Sequence, residues 1–297
     1  MPTPLTEIKL IALDIDGTLL DAHGTITPRV RSALYEARCA GMIIALATAR
    51  RYTGARQVAD ALDFELPLIV YDGALVVNYP GQTPIYSQPL SAQVAGQVIE
   101  IFLRNRVQPV VQFCDRLLEE VWTGPAEHDH LELATYIAAA GEHLRRLPYT
   151  QMRAGRVDPL RVVAFAPQET IGRLIPEISA LACSWNAIDQ GSFHCAELAV
   201  LHAGCSKASG VAALAAWYAI PLAQVMAIGD NTNDIGMLRL AGWGVAMGQA
   251  PAVVKAAARA LTTSNQEDGV ALAIERYALG CSGQRSTRAA NRSLADT

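Results

Sequence analysis

Leu10-Ile11-Ala12-Leu13-Asp14-Ile15-Asp16-Gly17-Thr18 is the stretch that decides the fold. It belongs to an apolar run, from Ile8 to Asp16, that is typical of a strand buried on both faces. Because side chains two residues apart on a strand point the same way, Asp14 and Asp16 are predicted to emerge together at its carboxyl end. Gly17 permits a sharp turn after them. On this stretch alone, a turn carrying two surface acids remains an open alternative.

Strand and helix patterns alternate around this stretch. A helix is predicted over residues 28–40, a strand over 42–47, a helix over 53–62 and a strand over 68–71. This order predicts a parallel sheet with helices packed on both faces. Alternation resumes near residue 196 and continues to about residue 278. The chain is therefore predicted to have an α/β core.

The middle of the chain follows a different pattern. Short strands with turn signals replace the regular alternation, and a polar stretch over residues 127–146 is predicted to be helical. We therefore predict an independent α+β module inserted into the core. The predicted division is a discontinuous core over residues 1–82 and 196–281, the inserted domain over 83–195, and a disordered polar tail over 282–297.

Composition narrows the functional class. Half of the 297 residues are hydrophobic and the formal net charge is -4, so a large core is expected and nucleic acid is not an expected partner. The uncharged stretch from 210 to 229 is interrupted by Pro221, so no membrane span is predicted. Six scattered cysteines without a secretory leader indicate a reducing, cytoplasmic location.

A second group of acids follows another short apolar strand. Gly229-Asp230-Asn231-Thr232-Asn233-Asp234 supplies two carboxylates and two amides. Oxygen-rich clusters of this kind suit a hard cation, and phosphate chemistry would make it Mg²⁺. Asn233 and Asp234 would also serve as ordinary helix caps, and both roles are compatible.

Two further residues stand next to predicted sheet edges. Thr48, in Ala47-Thr48-Ala49-Arg50, could grip a phosphate oxygen with its hydroxyl and the neighbouring N–H groups, or could simply cap a helix. Lys207 is the only lysine between Lys9 and Lys255. A cation at a helix start works against the helix dipole, so carboxylates or a phosphate to neutralise would explain it.

In this order the motifs resemble the haloacid dehalogenase superfamily, and within it the Cof-type phosphatases with an inserted type IIB cap. The resemblance spans the chain to about residue 278. It rests on four motifs, Asp14-x-Asp16-Gly17-Thr18, Thr48-x-Arg50, Lys207 and Gly229-Asp230-x-x-Asn233-Asp234. It implies a Rossmann-like parallel-sheet core, with residues 83–195 as the cap.

The resemblance also implies roles for these residues. Asp14 would be the nucleophile that forms an aspartyl-phosphate, and Asp16 the general acid and base. Mg²⁺ would be held by Asp14, Asp16 (through its backbone carbonyl) and Asp230. The phosphoryl oxygens would be held by Thr48, Lys207 and Asn233, with Ala49, Arg50 and Asp234 in support. The implied substrate is a small phosphorylated metabolite, either a sugar phosphate or a phosphorylated nucleotide or cofactor.

Two positions depart from the family pattern, which usually has glycine in place of Ala49 and asparagine in place of Asp72. Neither departure removes a catalytic group, but both could change substrate choice. Two other functions remain open at this stage. A phosphomutase or phosphotransferase would use the same nucleophile, and a receiver-like signalling module would store the phosphate on Asp14. The sequence reveals neither the substrate, nor the cap residues that select it, nor the oligomeric state.

Overall fold

A computed structural model describes residues 7–81, 83–115, 118–152, 158–189 and 195–280. The predicted disordered tail, 282–297, lies outside the described residues. The strands are β1 (Leu10–Leu13), β2 (Ile43–Ala47), β3 (Leu66–Val70), β4 (Leu75–Tyr79), β5 (Pro84–Ser87), β6 (Val110–Asp115), β7 (Leu118–Thr123), β8 (Leu144–Arg146), β9 (Arg161–Ala166), β10 (Cys183–Ile188), β11 (Ala196–His202), β12 (Val225–Gly229), β13 (Trp243–Ala246) and β14 (Ala260–Leu261). The α-helices are α1 (Pro28–Cys39), α2 (Tyr52–Leu62), α3 (Ala92–Arg104), α4 (Leu131–Ala140), α5 (Tyr149–Met152), α6 (Gln168–Ser179), α7 (Lys207–Trp217), α8 (Ile235–Leu240), α9 (Ala252–Ala257) and α10 (Gly269–Ala273).

These elements form two compact units. The first unit comprises Met1–Ala45 and Ala219–Thr297, and the second comprises Leu46–Tyr218. Strand β2 begins in the first unit and ends in the second. The predicted separation of residues 83–195 as a domain of their own stays a prediction.

The first unit is built on parallel strands in the order β14-β13-β12-β1-β2. Strands β1 and β12 are buried along their whole length. Helix α1 begins at Pro28, directly after the cap residue Thr27, as predicted. The Val30 N–H donates to the Thr27 hydroxyl at 3.2 Å. The predicted α/β fold with a parallel sheet is confirmed.

The second unit contains two sheets. The first has the order β2-β3-β4-β5, with β2 and β3 parallel and the other pairs antiparallel. The second has the order β10-β11-β9-β6-β7-β8. Its core packs helices α3 and α6 against β9 and β11, with Phe102, Leu174 and Leu198 fully buried. All pairs of this second sheet except β7–β8 are antiparallel, in line with the α+β pattern predicted for the middle of the chain.

The helix predicted over residues 127–146 is wrong at both ends, because helix α4 spans only Leu131–Ala140. Helix α4 ends at Ala140, where Gly141 adopts φ 55° and ψ -133°, a conformation outside the helical region. Strand β8 follows and pairs in parallel with β7, so that Leu144 lies beside Val121. The strand conformation of this segment depends on pairing with β7, which lies more than 20 residues earlier, and the local polar pattern does not indicate that pairing.

Within the described ranges, no helix is both long enough and apolar enough to cross a bilayer. The uncharged stretch that begins at Gly210 is divided between helix α7, a short turn and strand β12.

Candidate active site

The loop after β1 carries the first two predicted site residues. Asp14 continues the parallel pairing, because its N–H donates to the Ile228 carbonyl at 3.0 Å. The chain then turns, with Gly17 at φ 81°, and the Leu19 N–H returns to the Asp14 carbonyl at 3.2 Å. Asp14 is buried and Asp16 is exposed. The strand ends before Asp14, so the prediction that it runs to Asp16 is wrong, since the glycine turn starts earlier.

The loop after β12 is held by one buried carboxylate. Asp234 is fully buried, and its Oδ2 accepts from the N–H groups of Asp230 and Asn231 at 3.0 Å each. A Cβ at Gly229 would lie 2.6 Å from the Asp234 Cβ, so only glycine lets the two approach. Asp234 therefore fixes the backbone that carries Asp230.

The first unit brings three carboxylates together. Asp14, Asp230 and Asp234 each offer an oxygen, and these oxygens all lie within 4.8 Å of one another. The Thr18 hydroxyl donates to Asp230 Oδ1 at 3.1 Å. Strand pairing alone explains the convergence, because β1 and β12 are adjacent, parallel and end together.

This cluster fits a divalent metal ion. Its donors are all carboxylate oxygens, which hard divalent cations prefer. A Cβ at Gly17 would lie 2.4 Å from Asp230 Oδ2, so glycine leaves the carboxylate open on that side. Asn233, in the same loop, has a buried Oδ1 without a hydrogen-bond partner. Among the described residues this is the single acid, histidine and cysteine group able to hold an ion.

The second unit holds the other predicted phosphate ligands. Thr48 follows β2, is buried, and continues the pairing through its N–H to the Ile69 carbonyl at 2.8 Å. Its hydroxyl accepts from the Arg50 N–H at 3.0 Å. The Thr48 carbonyl accepts from the Asp72 N–H at 3.1 Å, which joins the loops after β2 and β3. Ala49, between Thr48 and Arg50 in the chain, is half-buried.

Lys207 is the first residue of helix α7 and is almost fully buried. Ser206 caps this helix, because its hydroxyl accepts from the Ser209 N–H at 3.3 Å. Gly73 packs against this cap, so the loop after β3 adjoins both the Thr48 loop and the start of the lysine helix. The turn at residues 71–73 therefore contacts both the backbone of Thr48 and the start of the helix that begins at Lys207.

We expect Gly73→Ala to destabilise the protein and to impair any function of Lys207. Gly73 has φ 96°, and a Cβ there would lie 2.0 Å from the Ser206 carbonyl oxygen. Both the backbone strain and the collision with backbone oppose alanine, so the free energy of unfolding should fall by roughly 2–4 kcal/mol. Urea unfolding measures this change.

The matched control is Gly172→Ala. Gly172 lies inside helix α6, is exposed, and has open space where the Cβ would go. Alanine should stabilise this position by about 0.5–1 kcal/mol. Equal effects of the two substitutions would contradict the close packing assigned to Gly73.

Arg161, to which no role is assigned from the sequence, forms a buried ion pair with Asp72. Arg161 Nη1 lies 2.6 Å from Asp72 Oδ2, and both side chains are 4% exposed. The departure from the family's usual asparagine at position 72 therefore comes with a charge of opposite sign. The signal that could have found it is an arginine opening a strand that is otherwise wholly apolar.

Glu119 is a buried acid that the sequence analysis did not single out. Its carboxylate accepts from the Thr53 N–H at 3.2 Å and from the hydroxyls of Thr53 and Tyr71. Arg51 Nη1 lies 3.8 Å from Glu119 Oε2. Strand β7 is thereby tied to the first turn of helix α2 and to the turn that follows β3. Burial, reinforced by the nearby Glu119 charge, raises the pKa of Tyr71 well above its ordinary value.

Glu197, on strand β11, is another buried acid that the sequence analysis did not single out. Burial raises its pKa from 4.5 to about 7; Asp72 adds to this effect and Arg161 opposes it. The unfolded chain loses this proton near pH 4.5, whereas the folded protein keeps it until about pH 7. The stability contributed by the retained proton is complete below pH 4.5 and is lost as the pH rises through 7.

We therefore expect Glu197→Gln to gain stability relative to the unmodified protein as the pH rises. The amide has no proton to lose, so the difference should grow by on the order of 3 kcal/mol between pH 4.5 and pH 8. Denaturant unfolding at several pH values measures it. A difference independent of pH would show that the carboxyl of Glu197 titrates normally.

The protein thus has an α/β fold in which a carboxylate cluster suited to a divalent cation lies at the carboxyl ends of two parallel strands. The chain belongs to the haloacid dehalogenase-like hydrolases, whose family profile matches residues 11–274. It is a hydrolase acting on phosphomonoesters. The predicted membership of the haloacid dehalogenase superfamily phosphatases is confirmed. The fold is shared with the subclass IIB sugar phosphatase BT4131, which is 24% identical and has a TM-score of 0.72.

Several relatives match almost end to end. YxeH of Bacillus subtilis is 31% identical over 276 residues, covering 91% of this chain and 98% of that protein. The pyridoxal phosphate phosphatase YbhA of Escherichia coli is 29% identical, covering 89% and 96%. Among solved structures, the phosphatase BT1666 of Bacteroides thetaiotaomicron has a TM-score of 0.75 at 26% identity, covering 93% and 97%.

Proposed function

We propose that the protein is a Mg²⁺-dependent phosphatase that hydrolyses the phosphomonoester of a small metabolite through an aspartyl-phosphate on Asp14. The single observation that supports this most is the cluster of carboxylate oxygens from Asp14, Asp230 and Asp234. A buried carboxylate within reach of a cation site is suited to attack on an anionic phosphate. A bound divalent cation would neutralise part of the charge on the carboxylate and the phosphate, so that the two anions can approach.

The proposed reaction has two steps. In the first, an Asp14 carboxylate oxygen forms a bond to phosphorus, the bond from phosphorus to the leaving alcohol breaks, and Asp16 gives its proton to the alcohol oxygen. In the second, Asp16 takes a proton from a water that attacks phosphorus, and the bond to Asp14 breaks. The exposure of Asp16 supports this exchange with alcohol and water, whereas the buried Asp14 is shielded from bulk solvent.

The remaining predicted residues have binding roles in this proposal. Thr48, Lys207 and Asn233 would hold the phosphoryl oxygens, and the first two are buried, where an interaction with an anion is strong. Asp16 would hold Mg²⁺ through its backbone carbonyl, beside Asp14 and Asp230. Asp234, whose Oδ2 already accepts two backbone N–H groups, would support the metal loop.

The proposed substrate is a sugar phosphate or a phosphorylated nucleotide or cofactor. This class follows from the relatives: one is named as a phosphatase of pyridoxal phosphate, and YitU of Bacillus subtilis, 26% identical, as a phosphatase of 5-amino-6-(5-phospho-D-ribitylamino)uracil. The family assignment favours hydrolysis over storage of the phosphate on Asp14. A mutase would instead return the phosphate to an organic acceptor.

Metal removal tests the proposal. A panel of phosphomonoesters should release inorganic phosphate with Mg²⁺, lose this activity after treatment with EDTA, and recover it when excess Mg²⁺ is restored. Circular dichroism before and after chelation shows whether the fold persists. Phosphate release that survives complete chelation would refute the metal requirement. Loss of substrate without an equal amount of inorganic phosphate would support the mutase instead.

A further inference from the structure

A buried charge cluster lies in the second unit, composed of Asp72, Arg161 and Glu197. Beyond the ion pair with Asp72, the Arg161 Nε–H donates to Gln112 Oε1 at 2.6 Å. The Gln112 amide in turn donates to the Tyr136 hydroxyl at 2.7 Å, so the guanidinium is held from two sides. Such fixed geometry is suited to recognition, because little ordering remains to be done when a ligand binds.

The buried charge cluster contains more negative than positive charge. Glu197 lies on β11, next to the strand that carries Arg161, and the register of the two strands puts both side chains on the same face of the sheet, where both are buried. Above about pH 7, where Glu197 is ionised, the three side chains sum to -1, since one cation faces two anions. Asn186 adds a neutral donor, its Nδ2 lying 3.4 Å from Asp72 Oδ1. Arg161 is already paired with Asp72, and the cluster itself holds no second cation to offset Glu197.

The same cluster adjoins the residues proposed to bind phosphate in this unit. The Asp72 N–H donates to the Thr48 carbonyl at 3.1 Å. The next residue, Gly73, packs against Ser206 directly before Lys207. The Cys205 thiol lies 4.0 Å from the Asp72 carbonyl oxygen. A phosphate held by Thr48 and Lys207 would therefore present the rest of its ester close to Asp72.

We propose that the buried charge cluster selects the leaving group, accepting neutral hydroxyl-bearing groups and rejecting those that carry a second anion. This inference rests on the proposed phosphatase function. Hydroxyls can donate to the carboxylates of Asp72 and Glu197 and accept from the guanidinium or from Asn186. A second anion would find Arg161 already paired and would be repelled by the surplus carboxylate.

The test compares two open-chain substrates of equal length. Sorbitol 6-phosphate ends in a hydroxyl, and 6-phosphogluconate ends in a carboxylate. The measured quantity is the selectivity ratio, kcat/KM for 6-phosphogluconate divided by kcat/KM for sorbitol 6-phosphate, in the Mg²⁺-loaded protein at a pH of about 8, where Glu197 is ionised. The ratio should be well below one in the unmodified protein and should follow the net charge of the cluster in variants.

Four variants test how the selectivity ratio depends on the net charge of the cluster. Asp72→Asn and Glu197→Gln each remove one negative charge and should raise the selectivity ratio by on the order of tenfold. Arg161→Gln removes the cation and should lower it. The double variant D72N/R161Q restores the original net charge and should return the ratio to within about threefold of the unmodified value. Glu197→Gln also covers the case in which Asp72→Asn does not fold.

A purely structural ion pair would give a different pattern. Removing either partner of a buried pair destabilises the fold, so Asp72→Asn and Arg161→Gln would change melting temperature in the same direction. Only a recognition role moves the selectivity ratio in opposite directions. The matched control is Asp129→Asn, which breaks another aspartate–arginine pair, with Arg146 at 2.7 Å, whose partners are separate from the cluster. It should leave the ratio unchanged.

Binding separates failure of the inference from failure of the proposed function. The affinities of both phosphomonoesters are measured by calorimetry, without turnover, in an Asp14→Asn background with and without the cluster substitutions. If no phosphate is released but the affinity ratio follows the charge series, the phosphatase proposal falls and the selection role stands. The selection role is overturned if phosphate is released but the kcat/KM ratio and the affinity ratio do not change with the net charge of the cluster. It is also overturned if both ratios shift in the same direction in all variants.

Discussion

Asp14→Asn is expected to reduce phosphate release by at least about 10⁴-fold with every substrate that the unmodified protein hydrolyses. An amide cannot form the acyl phosphate, so no alternative substrate can restore the reaction. Phosphate release under saturating substrate and Mg²⁺ measures the effect. The same substitution should leave the melting temperature of the metal-free protein unchanged or higher, because three acidic side chains crowd together there and one charge is removed.

The control for this variant is Asp63→Asn. Asp63 is exposed and ends helix α2 in a left-handed conformation that asparagine adopts equally well. Activity and melting temperature should both remain at the level of the unmodified protein. Substantial turnover by Asp14→Asn, with the control also active, would remove Asp14 from the role of nucleophile.

Lys207→Met is expected to lower kcat by about 10²–10³-fold. Methionine keeps the length and apolar stem of lysine but removes the charge, and the side chain is 2% exposed, so solvent cannot replace the lost cation. An interaction made in a buried place with developing charge on phosphate oxygens has its main effect on the chemical step. Steady-state kinetics would separate kcat from KM.

The chain offers a matched control in Lys255→Met. Lys255 is one of only two other lysines, and it is half-exposed on helix α9. The same chemical change there should leave kcat within about twofold of the unmodified value. If Lys207→Met behaves like Lys255→Met while remaining folded, the phosphate-binding role of Lys207 is wrong.

The elements around the site could be predicted because each is decided locally. An apolar run that ends in a polar residue marks a buried parallel strand, and Asp14, Thr48 and Asp230 each follow such a run. The pairing of β1 with β12 then explains why two acids more than 200 residues apart converge. Composition and strand periodicity are sufficient for that inference.

The buried charges could not be predicted, because they are decided by pairing between distant segments. Asp72 and Arg161 are 89 residues apart, and neither local sequence indicates the other. The same holds for Glu119, because its partners Thr53 and Tyr71 lie far earlier in the chain, in the first turn of α2 and in the turn after β3. Strand β8 also depends on a distant neighbour. Local propensity cannot predict a structure that is decided by contacts with distant parts of the chain.

The turn after β3 has a consequence for engineering. Tyr71, Asp72 and Gly73 have φ values of 52°, 54° and 96°, so two non-glycine residues in succession occupy the left-handed region. Each costs about 1–2 kcal/mol, and glycine or asparagine would relieve that cost. Both side chains also make buried contacts, the Tyr71 hydroxyl with Glu119 and the Asp72 carboxylate with Arg161, and replacing either residue would lose its contact. Breaking a buried ion pair costs more than the strain that is relieved, so a thermostability screen should look for gains at other positions and hold these two residues fixed.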